Sequence, residues 1–291
     1  MASLLDMRRR IKSVKNTQQI TKAMKMVAAA KLKRAQDRVI AARPFAKKMS
    51  EVLGGLSARV SDDFSHPLLE ARGDENYLIV LVTADKGLAG AFNANVIKAA
   101  QAFIADNLGK KFRMMAVGRK GRDFFKRREI DLTEEYVGIT GAGTVRYSDA
   151  AEIGQNVIKT FTEDETIDKV FLIFTEFKTV LSQKPIVEQL LPIPKIASEG
   201  AGEEAAQAEY IYEQPPAEIF GKLLPKQVET QIYRSMLESV ASEQGSRMTA
   251  MDSASKNAGE LIDSLTLNMN RIRQAAITKE IIEVVSGAAA L

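Results

Sequence analysis

Cysteine is absent from this sequence. That removes disulfides, thiolate zinc sites, iron–sulfur clusters and cysteine nucleophiles, and it suits a reducing compartment. Histidine is nearly absent too. The single one, His66, precedes Pro67 in the polar stretch "SDDFSHPLLE" and reads as a solvated loop side chain. Histidine-based metal sites and serine–histidine triads fall with it. No run approaches the ~20 apolar residues that span a bilayer. The opening "MASLLDMRRRIKSVKN" lacks the apolar core and cleavage site of a signal peptide. Its arginine-rich pattern continues without a break for fifty residues, so it reads as mature structure. Acidic residues are scarce at that end: residues 1–50 hold 14 Lys and Arg against Asp6 and Asp37. The balance there is +12 in a chain of net +4, which leaves −8 for the remainder. One end is built to meet something negative.

What is present divides into three segments. Residues 3–57 read as one helix. Positions spaced alternately by three and four run Leu4, Met7, Ile11, Val14, Gln18, Thr21, Lys25, Ala28, Leu32, Ala35, Val39, Ala42, Ala46, Met49, Leu53 and Leu56. Thirteen of these sixteen are apolar, the mark of a sustained coiled-coil seam. At Gln18, Thr21 and Lys25 the seam turns polar, and the neighbouring row of Ile20, Met24 and Val27 is expected to take over and meet a second partner. Pro44 should kink the helix without ending it. Gly54 and Gly55 should loosen its far end.

The middle segment changes period. The runs 77–85, 113–118, 169–177 and 185–193 are apolar and of strand length, and helical stretches at 93–107, 119–128 and 148–163 alternate with them. That pattern predicts an α/β domain with a mostly parallel sheet covered on both faces. "EYIYEQPP" (209–216) is a last strand candidate. The small, acidic stretch 197–209 reads as a flexible surface insert. After a short helical turn, Pro225 is placed as the first residue of a second long helix running from Lys226 to about Ser286. By the helical rise the two long helices span roughly 80 and 90 Å, and they most naturally pair antiparallel. The expected fold is therefore a long antiparallel coiled coil of the N- and C-terminal helices with a central α/β domain, partitioned at 1–58, 75–214 and 215–291. Two helices alone leave half their apolar surface for another chain. The oily ending "ITKEIIEVVSGAAAL" (277–291) poses the same question sharply, since chain ends are usually polar and frayed.

Signs of catalysis are few. In "TADKGLAGAFNANV" a strand, Gly87 and Gly90, and then a helix come in the order of a phosphate loop. The spacing fits neither the dinucleotide fingerprint nor a Walker sequence, and tight strand–helix turns use glycine for geometry. "GITGAGTV" (138–145) reads as a loop. No carboxylates form a general-acid/base constellation. No catalytic residue, cofactor or metal site is expected.

Three stretches carry a family resemblance: "RRRIKSVKNTQQITKAMKMVAAAKLKRAQ", "ASEQGSRMTAM" and "AITKEIIEVVSGAAAL". In that order, and over essentially the whole chain, they closely resemble the gamma subunits of F-type ATP synthases of the bacterial type. The family's closing signature stands here as Ile277, Thr278, Glu280, Glu283, Gly287 and Ala288. The resemblance implies a non-catalytic central rotor whose paired helices turn inside a ring of alpha and beta subunits. Its α/β domain would meet the epsilon subunit and the membrane c-ring, coupling proton or sodium flow to ATP synthesis or hydrolysis. By match to the family motifs, Arg247 at mid-shaft and Arg273, Gln274, Thr278, Glu280 and Glu283 near the tip would contact beta. Met24 and Lys25 would lie near beta's acidic lever, and Tyr210, Tyr212 and Glu213 would form the foot on the c-ring. The cysteine-bearing insertion of chloroplast members is missing. Length and the lack of a transit peptide place the expected protein on the cytoplasmic face of a bacterial membrane, held there only through its complex. An apolar tip of small residues then suits a narrow sleeve made by other subunits.

Two other readings start from the same residues. A basic coiled coil could bind nucleic acid or an anionic membrane through residues 8–48. Against that, its cations are spread around the helix and no aromatic precedes Phe45, so nucleic acid is not an expected partner. A nucleotide-binding enzyme is the weaker third reading.

Overall fold

The computed structural model describes residues 4–57, 60, 64–128, 130–141, 144–194 and 215–289. Helix α1 (Leu4–Ser57) comes first and helix α5 (Pro216–Ala289) last. Between them lie β1 (Asn76–Val82), α2 (Phe92–Asp106), β2 (Lys111–Val117), α3 (Arg119–Lys126), β3 (Asp131–Tyr136), α4 (Tyr147–Glu163), β4 (Lys169–Phe177) and β5 (Gln183–Leu191). The chain forms two compact units, Met1–Ala29 with Arg247–Leu291, and Ala30–Ser246. Among the described residues no helix is long and apolar enough to cross a membrane.

The larger unit is built on one five-stranded sheet in the order β3-β2-β1-β4-β5. β1 pairs in parallel with β2 and β4, so Ile79 faces Met114 on one side and Phe171 on the other. β3 joins β2 in parallel, and β5 closes the far edge antiparallel to β4. Every residue of β1 after Asn76 is buried, as expected of a central strand covered on both faces. On one face Val96, Ile97 and Ala100 of α2 and Phe125 of α3 pack onto Ile79, Leu81, Met114 and Ile173.

α5 is stitched to β4. The Thr175 amide donates to the Ser239 hydroxyl at 3.4 Å, and Ser242 donates back to the Thr175 carbonyl at 3.2 Å. α4 approaches α5 at Gly154, where a Cβ would stand only 3.2 Å from the Glu229 Cα; glycine makes that closeness possible. From Ser235 to Gly245 every residue of α5 is buried. Its serines, alanine and glycine let neighbours close in on all sides.

Three details depart from the sequence-based expectation. β3 was not foreseen: in "DLTEEY" only Leu132 and Tyr136 turn inward, so an edge strand with a solvated face reads as a polar loop. The first and last strands end at Val82 and Leu191 rather than 85 and 193. α1 runs through Gly54 and Gly55 to Ser57, as the helix read over 3–57 expects, with Leu53 and Leu56 fully buried beside them. Pro225 does not start a helix. Pro216 holds the first helical position, and α5 runs through Pro225. The lost backbone bond is offset by burial of Phe220, Leu224, Val228 and Ile232 on either side. Pro44 likewise lies inside α1. Most of the strand candidate 209–216 and all of the insert 197–209 lie outside the described residues.

The turn from β2 into α3 depends on Gly118. Its φ is +96°, and a Cβ there would sit 2.2 Å from the Thr83 carbonyl oxygen. Gly118→Ala should therefore lower the stability of the chain by at least about 2 kcal/mol. Urea unfolding followed by circular dichroism measures it, and an unmoved midpoint would refute the claim.

Candidate functional site along the paired helices

In the smaller unit the α1 seam packs on α5. Met7, Ile11, Thr21 and Ala28 are buried on α1, and Met251 and Ala258 are buried on α5. In the larger unit the seam continues through Leu32, Ala35, Val39, Ala46, Leu53 and Leu56, all buried. The polar positions do not interrupt it. Gln18 donates to the Ser255 carbonyl at 3.3 Å, and the Thr21 hydroxyl donates to the Gln18 carbonyl at 3.0 Å. The Lys25 ammonium reaches Asp252 at 2.6 Å, and Lys256 meets the other Asp252 oxygen at 3.1 Å. Hydrogen bonds from Lys25, and then from Lys256, hold the Asp252 carboxyl below the usual carboxylate range.

The expected hand-over to a second row is thus corrected. Thr21 stays in the seam, while Ile20 and Val27 face outward with Met26 and Met24 is half-buried. This row is an exposed apolar strip beside an intact seam. A second exposed strip occupies the C-terminal end of α5. Ile277 is 48% exposed, Ile281 57%, Ile282 58%, Val284 71% and Val285 62%. Every residue from 277 to 288 is exposed. Among the described residues, nothing in its own unit covers this end of the helix.

Of the residues singled out for contact with a partner, five fall on the strip at the end of α5 and the others do not. Met24 and Lys25 lie on α1 at the polar part of the seam. Arg247, half-buried, opens the α5 stretch of the smaller unit. Arg273, Gln274, Thr278, Glu280 and Glu283 are all exposed near the end of α5. There Thr278 donates to the Gln274 carbonyl at 2.9 Å and Glu283 pairs with Lys279 at 3.5 Å. Of the predicted set, the structure gives Lys25 a cross-helix partner. Tyr210, Tyr212 and Glu213 lie outside the described residues. Asp252 was missed by the sequence reading. A lysine in an apolar seam calls for an acid opposite, but Glu229, Glu238, Glu243, Asp252 and Glu260 all compete in that part of α5.

The glycine loop after β1 is held by its own chain. Asn93 accepts from the Ala84 amide at 3.0 Å, Leu88 takes a φ of 61° and Gly90 one of 55°. The carboxylate of Asp85 accepts the amides of Arg119 and Gly138 at 3.0 Å each and the Thr140 hydroxyl at 2.9 Å. An internal anion thus occupies the first turn of α3 and the start of the 138–141 turn. His66 is also locally engaged: its Nδ1 accepts the Leu68 amide at 3.2 Å, and burial lowers its pKa. Among the described residues no acidic or histidine cluster could hold a metal ion.

A family model described as ATP synthase matches residues 3–291. The chain is 54% identical over 293 residues to the ATP synthase gamma chain of Solibacter usitatus, covering 100% of this chain and 99% of that one. It is 52% identical over 291 residues to the gamma chain of Desulforamulus reducens, with both covered completely. Among solved structures it resembles a chain of the central stalk and c-ring of Tetrahymena thermophila mitochondrial ATP synthase. There the TM-score is 0.60 at 28% identity, over 81% of this chain and 99% of that one. A chain from the OSCP, F1 and c-ring portion of the Euglena gracilis enzyme shares the fold, at TM-score 0.68 and 17% identity over 99% and 94%.

Burial pushes the Asp85 carboxyl up, but its hydrogen bonds from Gly138, Thr140 and Arg119 outweigh that and hold it below the ordinary range. Its contribution to stability is therefore present above about pH 4 and is lost as pH falls through the lowered folded value. Asp85→Asn should cost roughly 1–3 kcal/mol at neutral pH and make the acid decline shallower. Urea midpoints at pH 7, 4 and 3 read both effects. Parallel acid declines in the two proteins would show that the carboxylate has no such role.

Proposed function

The chain belongs to the ATP synthase gamma family, and from that premise we propose that it is the central rotor of an F-type ATP synthase. Its helix pair turns within a ring of alpha and beta subunits. Rotation of a membrane c-ring, driven by proton or sodium flow, is thereby coupled to ATP synthesis or hydrolysis at the beta sites. The observation that carries the reading is the bare apolar end of α5 at 277–285, on a chain matching gamma chains along its whole length. Apolar contact is non-directional and lets equivalent positions follow one another, whereas dense hydrogen bonding would lock one of them.

Within this reading Arg273, Gln274, Thr278, Glu280 and Glu283 meet loops of beta at the tip. Arg247 does so lower on α5, and Met24 and Lys25 meet beta's acidic lever. Tyr210, Tyr212 and Glu213 belong to the foot on the c-ring and epsilon subunit. The subunit is non-catalytic. Two features support this: the sequence has one histidine and no cysteine, and the amides at the start of α3 and of the 138–141 turn already bind the chain's own Asp85 carboxylate. It sits peripherally, through the complex, on the cytoplasmic face of a bacterial inner membrane.

Amide hydrogen exchange tests the carrying observation. In the full-length chain alone, residues 277–289 should exchange rapidly while Leu78 to Val82 exchange slowly. On addition of alpha and beta subunits the same end should become protected, and ATP hydrolysis should rise well above that of alpha and beta alone. The chain by itself should show no hydrolysis. Protection of the tip in the lone chain, or no rise in hydrolysis on mixing, would defeat the rotor reading.

A further inference from the structure

The seam of the smaller unit has an ambiguity in its apolar part. α5 carries Ala250, Ala254 and Ala258 at intervals of four. Along that row a partner helix sliding by one turn, about 5.4 Å, would exchange one alanine for the next, leaving buried Met251 to resist the shift by its bulk alone. Small side chains permit close approach, but they do not say which turn should face which. Polar seam residues supply that information in coiled coils, at some cost in stability.

Here the polar positions are specific where the alanines are not. Lys25 meets Asp252 at 2.6 Å. One turn away in one direction it would face Ser255 and Lys256, a like charge. One turn in the other direction it would face Met248 and Thr249, with no anion. Gln18 adds a second constraint seven residues along α1. Its amide nitrogen bonds the Ser255 carbonyl, and a Cβ on Gly259 would stand 3.1 Å from it. The amide of Gln18 therefore lies where the partner helix presents both an acceptor and a gap.

We propose that Lys25 and Asp252, with Gln18, are the register-setting residues of the helix pair. They fix the axial offset between the exposed row of Ile20, Met26 and Val27 on α1 and the bare end of α5, and so the alignment of the two surfaces the rotor presents to its ring. The role in rotation rests on the proposed function; the register itself does not. A slip of one turn would move one row past the other by about 5.4 Å, and so shift the outward rows against whatever they meet even where the alanine row itself is nearly repeated.

The absence of cysteine allows clean double labelling of the full-length chain. Lys22→Cys and Leu267→Cys are both exposed positions on the two helices. Spin labels there should give one narrow distance in the parent. Lys25→Gln and Asp252→Asn should each add a population displaced by about 5 Å, raised up to about fivefold over the parent. Lys25→Arg and Asp252→Glu, which keep the charges, should hold the single distance. If neutral and charge-keeping variants behave alike, the register claim fails.

In the assembled enzyme, ions pumped per ATP hydrolysed should fall for Asp252→Asn and hold for Asp252→Glu, since Asp252 touches the seam and is not assigned to the contact with beta. An unchanged ratio would overturn the part of the proposal that links register to coupling. Failure of the parent chain to join alpha and beta subunits would instead count against the proposed function, leaving the distances to judge the register alone.

Discussion

A single buried carboxylate, Glu238, ties together the three elements on which the larger unit is built. Its side chain is 6% exposed, and a lone charge so placed would cost several kcal/mol. It is not alone. Arg43 of α1 donates to one oxygen through Nε at 3.2 Å and Nη2 at 3.0 Å, and the Phe177 amide at the end of β4 donates to the other at 2.8 Å. The same guanidinium also reaches the Phe177 carbonyl at 3.1 Å. One helix, the other helix and the sheet thus share one ionic contact. The fully wrapped stretch of α5 from 235 to 245 is centred close to it. Were Glu238 lost, Arg43 and the strand end would each lose a partner at once.

α5 inverts the usual distribution of side chains along its length. Within the larger unit its buried residues include Glu229, Thr230, Ser235, Glu238, Ser239 and Ser242, while isoleucines and valines stand exposed at its other end. Both halves obey the same physics. Most of the buried polar groups named are partnered: Tyr147 and Lys226 serve Glu229, and Thr175 serves Ser239 and Ser242, while the Thr230 hydroxyl is buried without a hydrogen-bond partner among the described residues. Exposed apolar groups of this number in one place imply surface reserved for another molecule. A helix polar where it is enclosed and apolar where it is open belongs to an assembly larger than the chain.

The coil seam was legible because a period of three and four over fifty residues has no competing explanation. The apolar run of β1 was legible because a strand buried on both faces needs no alternation. β3 was not, since an edge strand with Asp131, Glu134 and Glu135 on it carries the composition of a loop. Pro225 misled for a local reason: proline favours a helix start, but burial around it outweighs the loss of one bond. At the candidate site, the outward tip could be read from its composition. The partners Asp252 and Ser255 could not, because their choice depends on the register of two distant segments, and Ser255 contributes through its backbone, which sequence does not distinguish.

The uncovered turns at the end of α5 also have a mechanical meaning. Residues 277–288 are held as helix by their own backbone ladder, continuous with the rest of α5, and an end with nothing packed on it is the place where a helix frays. Such a segment unwinds and rewinds from its end in roughly 0.1–1 μs, whereas collective motions of domains take microseconds to milliseconds. The tip is therefore a compliant element on a stiffer support. It can re-form many times within one step of such a slower movement, and so adjust its own fit without waiting for the rest of the helix.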